Sequence, residues 1–408
     1  MTPRDDRTRW PLGRTWWRTL RSRWALVSLA TLLYWVASHS LRPFVVLRLD
    51  ALGASAQQIG LVAAAYALVA LVLAIPGGRA IDRMGTTRVL YGSLIAMGGL
   101  GVAYAVADSI PQLLTLATVN GVVELGVWLS LQTLSSHAGT GEDLTRQLSL
   151  FSFAWGLGIA LGPSVGGLAY EQVGFAGLSL TYTTLAVIML LAVVVAPAVP
   201  ASLRAKGGGL HRDAWRTAVQ PAVRSVLLSS FVTLYVISIK NTFYPLTLED
   251  RGVPVPLIGL VLSVMGVASL AVRLMLPALL RRFGPGRVLV VGTWVAVVGI
   301  SATPWLSNVV ALVLGAAITG AGYGSNPPVS VQLLSEHSTH ANRGLVMGLR
   351  AASSRLAQVV QPVIFGSLAA AAGTARAFLL SGALLSAVAL STRRDVLALS
   401  TRTTDTEG

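Results

Sequence analysis

Ionisable side chains stand inside apolar runs of this sequence: Glu124, Lys240, Arg273, Arg350 and Arg355, with Arg42 close to the end of another run. At bilayer depth each costs roughly 2.5–3.5 kcal/mol on insertion scales, so each is a functional candidate. Glu124 lies in TVNGVVELGVW, with Asn120 one turn before it and Trp128 one turn after. That spacing puts an amide, an acid and an indole on one helix face. A lone acid can alternate between a protonated form and an ion pair as its surroundings change, which is what proton coupling requires. The competing expectation is a fixed salt bridge to Lys240, Arg42 or Arg355. Arg42, Arg273 and Arg350 are close enough to span ends to snorkel. His39 precedes Arg42 by three residues and either titrates or packs.

Up to five positive charges against one negative favour a cargo with an anionic group, zwitterions included, and disfavour a purely cationic one. Trp35, Trp128, Phe243, Tyr244 and Tyr323 either contact cargo or simply pack. GAGYGSNPP, Gly320 to Pro328, strings glycine and proline through an apolar run. Such interruption is tolerated where a helix lines a cavity or packs on protein. A gate or binding segment centred on Asn326 is expected there.

The elements that must hold these groups are membrane helices. The chain has 408 residues, 54% hydrophobic and 12% charged, with mean hydropathy +0.69. A soluble domain carries roughly 25% charged residues. Apolar runs separated by Gly, Pro and charge predict twelve spans, at about 24–45, 58–76, 87–107, 111–136, 147–170, 178–197, 223–246, 257–280, 287–304, 308–334, 344–370 and 375–392. Net charge is +15. With the N-terminus inside, 23 of the 31 Lys and Arg fall on the cytoplasmic side, which places both termini in the cytoplasm. The basic charge then marks a membrane side, not a nucleic-acid partner. There are no cysteines, and the five histidines have no metal-ligand spacing. No metal or cofactor is expected. The chain lacks a phosphate-binding loop of the Walker type, so ATP is not the direct energy source. No nucleophile–base pair argues for an enzyme.

The sequence repeats at an offset of 199 residues. Ile59-Gly60-Leu61-Val62 matches Ile258-Gly259-Leu260-Val261, DRMGTTRVL from Asp82 matches RRFGPGRVL from Arg281, and Gly121 matches Gly320. The same offset sets Arg42 on Asn241, Glu124 on Tyr323 and Trp128 on Pro327. The expected organisation is a basic segment (1–23), a six-helix bundle (24–197), a linker (198–222), a second bundle (223–392) and a tail (393–408). Two parallel repeats with a site between them suit a rocking transporter.

Gly78, Asp82, Arg83, Gly85 and Arg88 lie between the second and third predicted spans. Gly78 is expected to permit close packing and Gly85 a tight reversal. This pattern resembles the signature of the major facilitator superfamily, and the resemblance covers about Trp24 to Arg394. It implies that spans 1, 4, 7 and 10 line a central cavity. It also implies that Asp82 latches the halves on the cytoplasmic side, one-sidedly, because Arg281 replaces it in the second repeat. Thr86 and Thr87 stand where the family has further basic residues. GIALGPSVGG, with Gly158, Gly162, Pro163, Gly166 and Gly167, resembles the motif of the exporting antiporter branch. Ser149 departs from it, and the competing reading is ordinary tight packing. Ala117 stands where many proton-coupled members carry Arg. The expectation is a monomeric, multi-pass protein of the inner, cytoplasmic membrane that exports a small amphipathic or anionic molecule against protons. The alternative is uptake of an organic anion or zwitterion by proton symport or exchange.

Overall fold

The computed structural model describes residues 23–136, 142–195, 219–336, 338 and 343–401. The basic N-terminal segment to residue 22, the linker across 196–218, His340 and the tail beyond 401 lie outside the described residues. The elements in the first half are α1 (Arg23–Ala51), α2a (Ala56–Val72), α2b (Ala74–Met84), α3 (Thr86–Ala105) and α4 (Ile110–Ser136). A long run, Glu142–Val195, is broken at Gly174 into α5 (142–173) and α6 (175–195). In the second half α7a (Pro221–Asn241) and α7b (Phe243–Glu249) are followed by α8 (Val255–Phe283) and α9 (Pro285–Ser301). A 3-10 turn, Thr303–Trp305, leads to α10a (Val309–Gly324), α10b (Asn326–Glu336), α11 (Arg343–Ala372) and α12 (Thr374–Thr401). Among the described residues, eight helices are long and apolar enough to cross a membrane, the run across Gly174 counted as one. Many large apolar side chains, Leu274, Val310 and Ile95 among them, are exposed on the outside of the bundle. In lipid that is the favourable place for them.

The backbone turns obey the 199-residue repeat. Six glycines have positive φ: Gly53 (77°), Gly85 (89°), Gly174 (67°), Gly252 (71°), Gly284 (75°) and Gly373 (84°). They form three pairs at that offset: Gly53 with Gly252, Gly85 with Gly284, Gly174 with Gly373. Each reverses the chain where a side chain would be strained. The loops after α3 and α9 are tied in the same way. Arg48 donates to the carbonyl of Ala107 (3.4 Å), and Arg251 to that of Leu306 (2.8 Å), the repeat mate of Ala107.

Helix-on-helix contacts are set by small residues. Gly121 meets the backbone of Tyr66, and its mate Gly320 meets the backbone of Met265, the mate of Tyr66. The two halves join through the same device used twice. Gly60 on α2a meets the carbonyl of Pro362 on α11, and Gly259 on α8 meets the carbonyl of Pro163 on α5. A Cβ at Gly366 would stand 2.7 Å from the Ala56 carbonyl oxygen, and one at Gly167 would stand 2.9 Å from that of Val255. Without a hydrophobic force between helices in lipid, such close backbone approach supplies the packing energy. At the Gly53 end α7b also packs on α1. At the other end α2b packs on α2a, α3 and α4, and α10b on α7a, α9, α10a and α11, each within its own half.

Gly78 corrects an expectation. A Cβ built there meets nothing within 4 Å, so it makes no close helix contact; Gly77 is the position facing Leu129 (3.3 Å). The helix also runs through the motif to Met84, and Gly85 alone makes the reversal.

Candidate substrate and coupling site

Glu124 is the centre of a buried network. It sits on α4, 1% exposed, and each of its side-chain partners is a donor. Its Oε2 pairs with the Arg42 guanidinium of α1, whose side chain is 25% exposed. The same oxygen accepts from Tyr66 (2.6 Å) on α2a and Ser38 (2.8 Å) on α1, and Tyr34 stands 3.4 Å away. Its Oε1 accepts from Asn120 Nδ2 (3.3 Å) and from Tyr182 of α6 (3.2 Å); Tyr182 also lies 2.9 Å from Asn120 Oδ1. Arg42 lies over the Tyr66 ring, 4.1 Å from its centroid. Charge-assisted bonds of this kind are roughly twice as strong as neutral ones. Of the three bases that compete for the acid in the sequence, Arg42 is the one that reaches it.

Lys240 lies near the end of α7a and is 2% exposed. Among the described residues its ammonium has no hydrogen-bond or ion-pair partner. His39, in electrostatic range of it, is 5% exposed. Arg355 on α11 donates to Gln358 (3.4 Å) and lies within electrostatic range of Tyr34, Arg42 and Glu124 across the gap between halves. Arg273 on α8 donates to the Gly324 carbonyl (3.3 Å) and stands 5.8 Å from the Trp155 ring centroid on α5. Arg350 is half-buried and its Nε has no partner among the described residues.

α10 breaks at Ser325, between Tyr323 and Asn326. The hydroxyl of Tyr323 is buried without a partner among the described residues. Asn326 is held against α7a, donating to the Ser229 carbonyl (3.2 Å) and hydroxyl (3.0 Å). The break is therefore held against α7a of the same half. Trp128 stacks on Tyr34 (6.4 Å) and Phe151 (5.6 Å), with Trp35 edge-on at 5.1 Å and Trp155 tilted at 5.3 Å.

The two motifs fall differently. Arg83 and Arg88 are exposed around Gly85, while the side chain of Asp82 lies outside the described residues. On α5, Gly158, Gly162 and Gly166 form a stripe against α1: a Cβ at Gly162 would stand 2.9 Å from the Val36 carbonyl oxygen, and one at Gly158 2.8 Å from that of Leu32. Pro163 and Gly167 face α8 instead.

Residues 27–237 and 226–406 both match the sequence profile of the Major Facilitator Superfamily. The chain belongs to the Major Facilitator Superfamily. Like other members it is a multi-pass membrane protein. A probable sulfoacetate transporter, SauU of Cupriavidus necator, is 28% identical over 139 residues, 34% of this chain and 32% of that one. The MFS-type transporter SLC18B1 of Mus musculus is 25% identical over 142 residues, 33% of this chain and 31% of that one. These matches span about a third of the length of the curated relatives. In fold the chain is similar to the nucleoside transporter NupG in a point-mutant form, with a TM-score of 0.79, 13% identity and coverage of 92% of this chain and all of that one. An inward-facing bacterial homologue of the human lysosomal transporter Spinster superposes with a TM-score of 0.70, 14% identity and 95% coverage of both chains.

Within this superfamily member the site differs from its sequence-based outline. Tyr66 and Tyr182 bring α2a and α6 to the acid, beyond spans 1, 4, 7 and 10. Sequence reasoning missed both, together with Tyr34, Ser38 and Trp155. A tyrosine inside an apolar run was the available signal, because its hydroxyl needs a partner there.

Proposed function

We propose that this protein is a secondary active transporter that moves a small organic anion by alternating access. It crosses the membrane twelve times with both termini in the cytoplasm. The observation that carries the reading is an imbalance of charge. Arg42 neutralises Glu124, while Lys240, Arg273, Arg350 and Arg355 have no carboxylate within ion-pair distance among the described residues. Positive charge without a counter-charge between apolar walls draws an anion. With that orientation, α7b on α1 closes the outer end, and α2b and α10b stay with their own halves at the inner end.

The Arg42–Glu124 pair favours proton symport over the export that the α5 motif resembles. A proton on Glu124 releases the Arg42 guanidinium, and a cargo anion then pairs with it. Proton and anion thus bind in support of each other, which is the condition for symport. Antiport needs the two to compete for one group, and an anion does not compete for a carboxylate. Nor does the α5 motif require export. Its Pro163 and Gly167 recur as Pro362 and Gly366 on α11, where they make the same half-to-half contact.

The test uses proteoliposomes with an imposed pH gradient and a panel of sulfoacetate, other small organic anions, zwitterions and lipophilic cations. Wild type is expected to accumulate an anion with the inward proton gradient, and Glu124→Gln to lose gradient-driven accumulation. Anion movement opposite to the protons restores export. Accumulation unaffected by Glu124→Gln makes the acid structural.

A further inference from the structure

The two faces of the central region carry different chemistry. On the N-terminal half, Trp35, Trp128 and Trp155 from three separate helices pack with ring centroids 5.1–5.5 Å apart, and Phe151 extends the surface. The repeat mates of Trp35, Trp128, Phe151 and Trp155 are Leu234, Pro327, Arg350 and Ser354, so the other half has no such surface. Opposite stand the cations of the C-terminal half. Arg273 reaches the Trp155 ring across the boundary, and Arg355 is in range of Tyr34, which stacks on Trp128.

Packing alone accounts poorly for this cluster. The three tryptophans are half-buried, not fully enclosed. The indole N–H groups of Trp35 and Trp155 are buried with no acceptor among the described residues. A buried Trp N–H normally finds one. A partly exposed aromatic cluster beside guanidinium groups that have no carboxylate among the described residues matches a ligand that is planar and apolar at one end and anionic at the other. Such a ligand stacks its ring and presents acceptor oxygens to the cations and indoles.

We propose that the preferred cargo is a planar aromatic anion, its ring on the Trp35–Trp128–Trp155 surface and its charge toward Arg273 and Arg355. The inference rests on the anion-transport reading above and narrows it. An aliphatic anion of equal charge and carbon number would find the cations but not the stacking.

Benzenesulfonate and 1-hexanesulfonate separate the two, because each carries six carbons and a permanent charge. Uptake of each, labelled, is measured in proteoliposomes of the full chain. Wild type should favour benzenesulfonate about 5-fold in kcat/KM, the size expected for an aromatic stacking contact. Trp155→Leu and Trp128→Leu should bring the ratio near one, and Trp155→Phe should keep most of it. A wild-type ratio near one overturns the inference and leaves anion transport standing. So does an equal loss for both sulfonates in the leucine variants. The absence of protein-dependent movement of either sulfonate overturns the anion reading and this inference together.

Discussion

Glu124 and Tyr323 hold the same place in the two halves, 199 residues apart, each three residues beyond a glycine that touches the preceding helix pair's backbone. Around Glu124 converge an arginine, three tyrosines, a serine and an asparagine; the Tyr323 hydroxyl has no partner among the described residues. The mates of Arg42, Tyr66, Tyr182 and Ser38 are Asn241, Met265, Ser381 and Ile237. One backbone design has been kept twice while its polar contents have been kept once. Backbone symmetry is enforced by steric contacts that tolerate only glycine. The polar contents are not under that steric constraint, and they differ between the halves.

The largest test of this contrast is Glu124→Ala. It leaves the Arg42 guanidinium without its counter-charge and should cost about 3–5 kcal/mol, read as a fall in thermal midpoint of the detergent-solubilised protein. An unchanged midpoint would mean the network holds nothing together. Tyr66→Phe removes one donor from the carboxylate and should cost about 1–3 kcal/mol in the same assay. The symmetric side of the contrast is tested by Gly60→Ala and Gly259→Ala. Each new methyl meets a proline carbonyl of the opposite half, so both should cost about 1–3 kcal/mol and by similar amounts. A large cost for one and none for its mate would break the structural symmetry. Gly78→Ala, on a helix with open space around it, should instead stabilise by about 0.5–1 kcal/mol. Tyr323→Phe removes a buried hydroxyl with no partner among the described residues, so it should raise stability, by about 1 kcal/mol.

Much of the backbone was legible beforehand. The repeat offset seen in three short matches locates all three pairs of positive-φ glycines, because a reversal at the membrane surface restricts the residue as strongly as the geometry. Long apolar runs mark the helices for the same reason: lipid offers the backbone no partners. One break was not legible as a break: Thr242 interrupts α7, and threonine does not signal a stop. The break of α10 at Ser325 lies inside the Gly- and Pro-rich stretch that reads as an interruption. The long run from Glu142 reads in the sequence as two spans with a loop, but helical geometry continues to both sides of Gly174.

A membrane protein of two repeated halves, the places where its chain turns, and an acid and several cations inside apolar runs are all readable from the residues in order. Those conclusions follow from local constraints: hydropathy over a span, charge at its ends, glycine at a reversal. The pairing of Arg42 with Glu124, the completion of its shell by Tyr66 and Tyr182, and the meeting of tryptophans from three helices, with Arg273 of the other half at Trp155, appear in the folded chain alone. Arg42 and Glu124 are 82 residues apart on separate helices. Whether two such side chains meet depends on the rotation and depth of each helix. Those are fixed by glycine contacts with third helices, and no spacing along one chain segment records them.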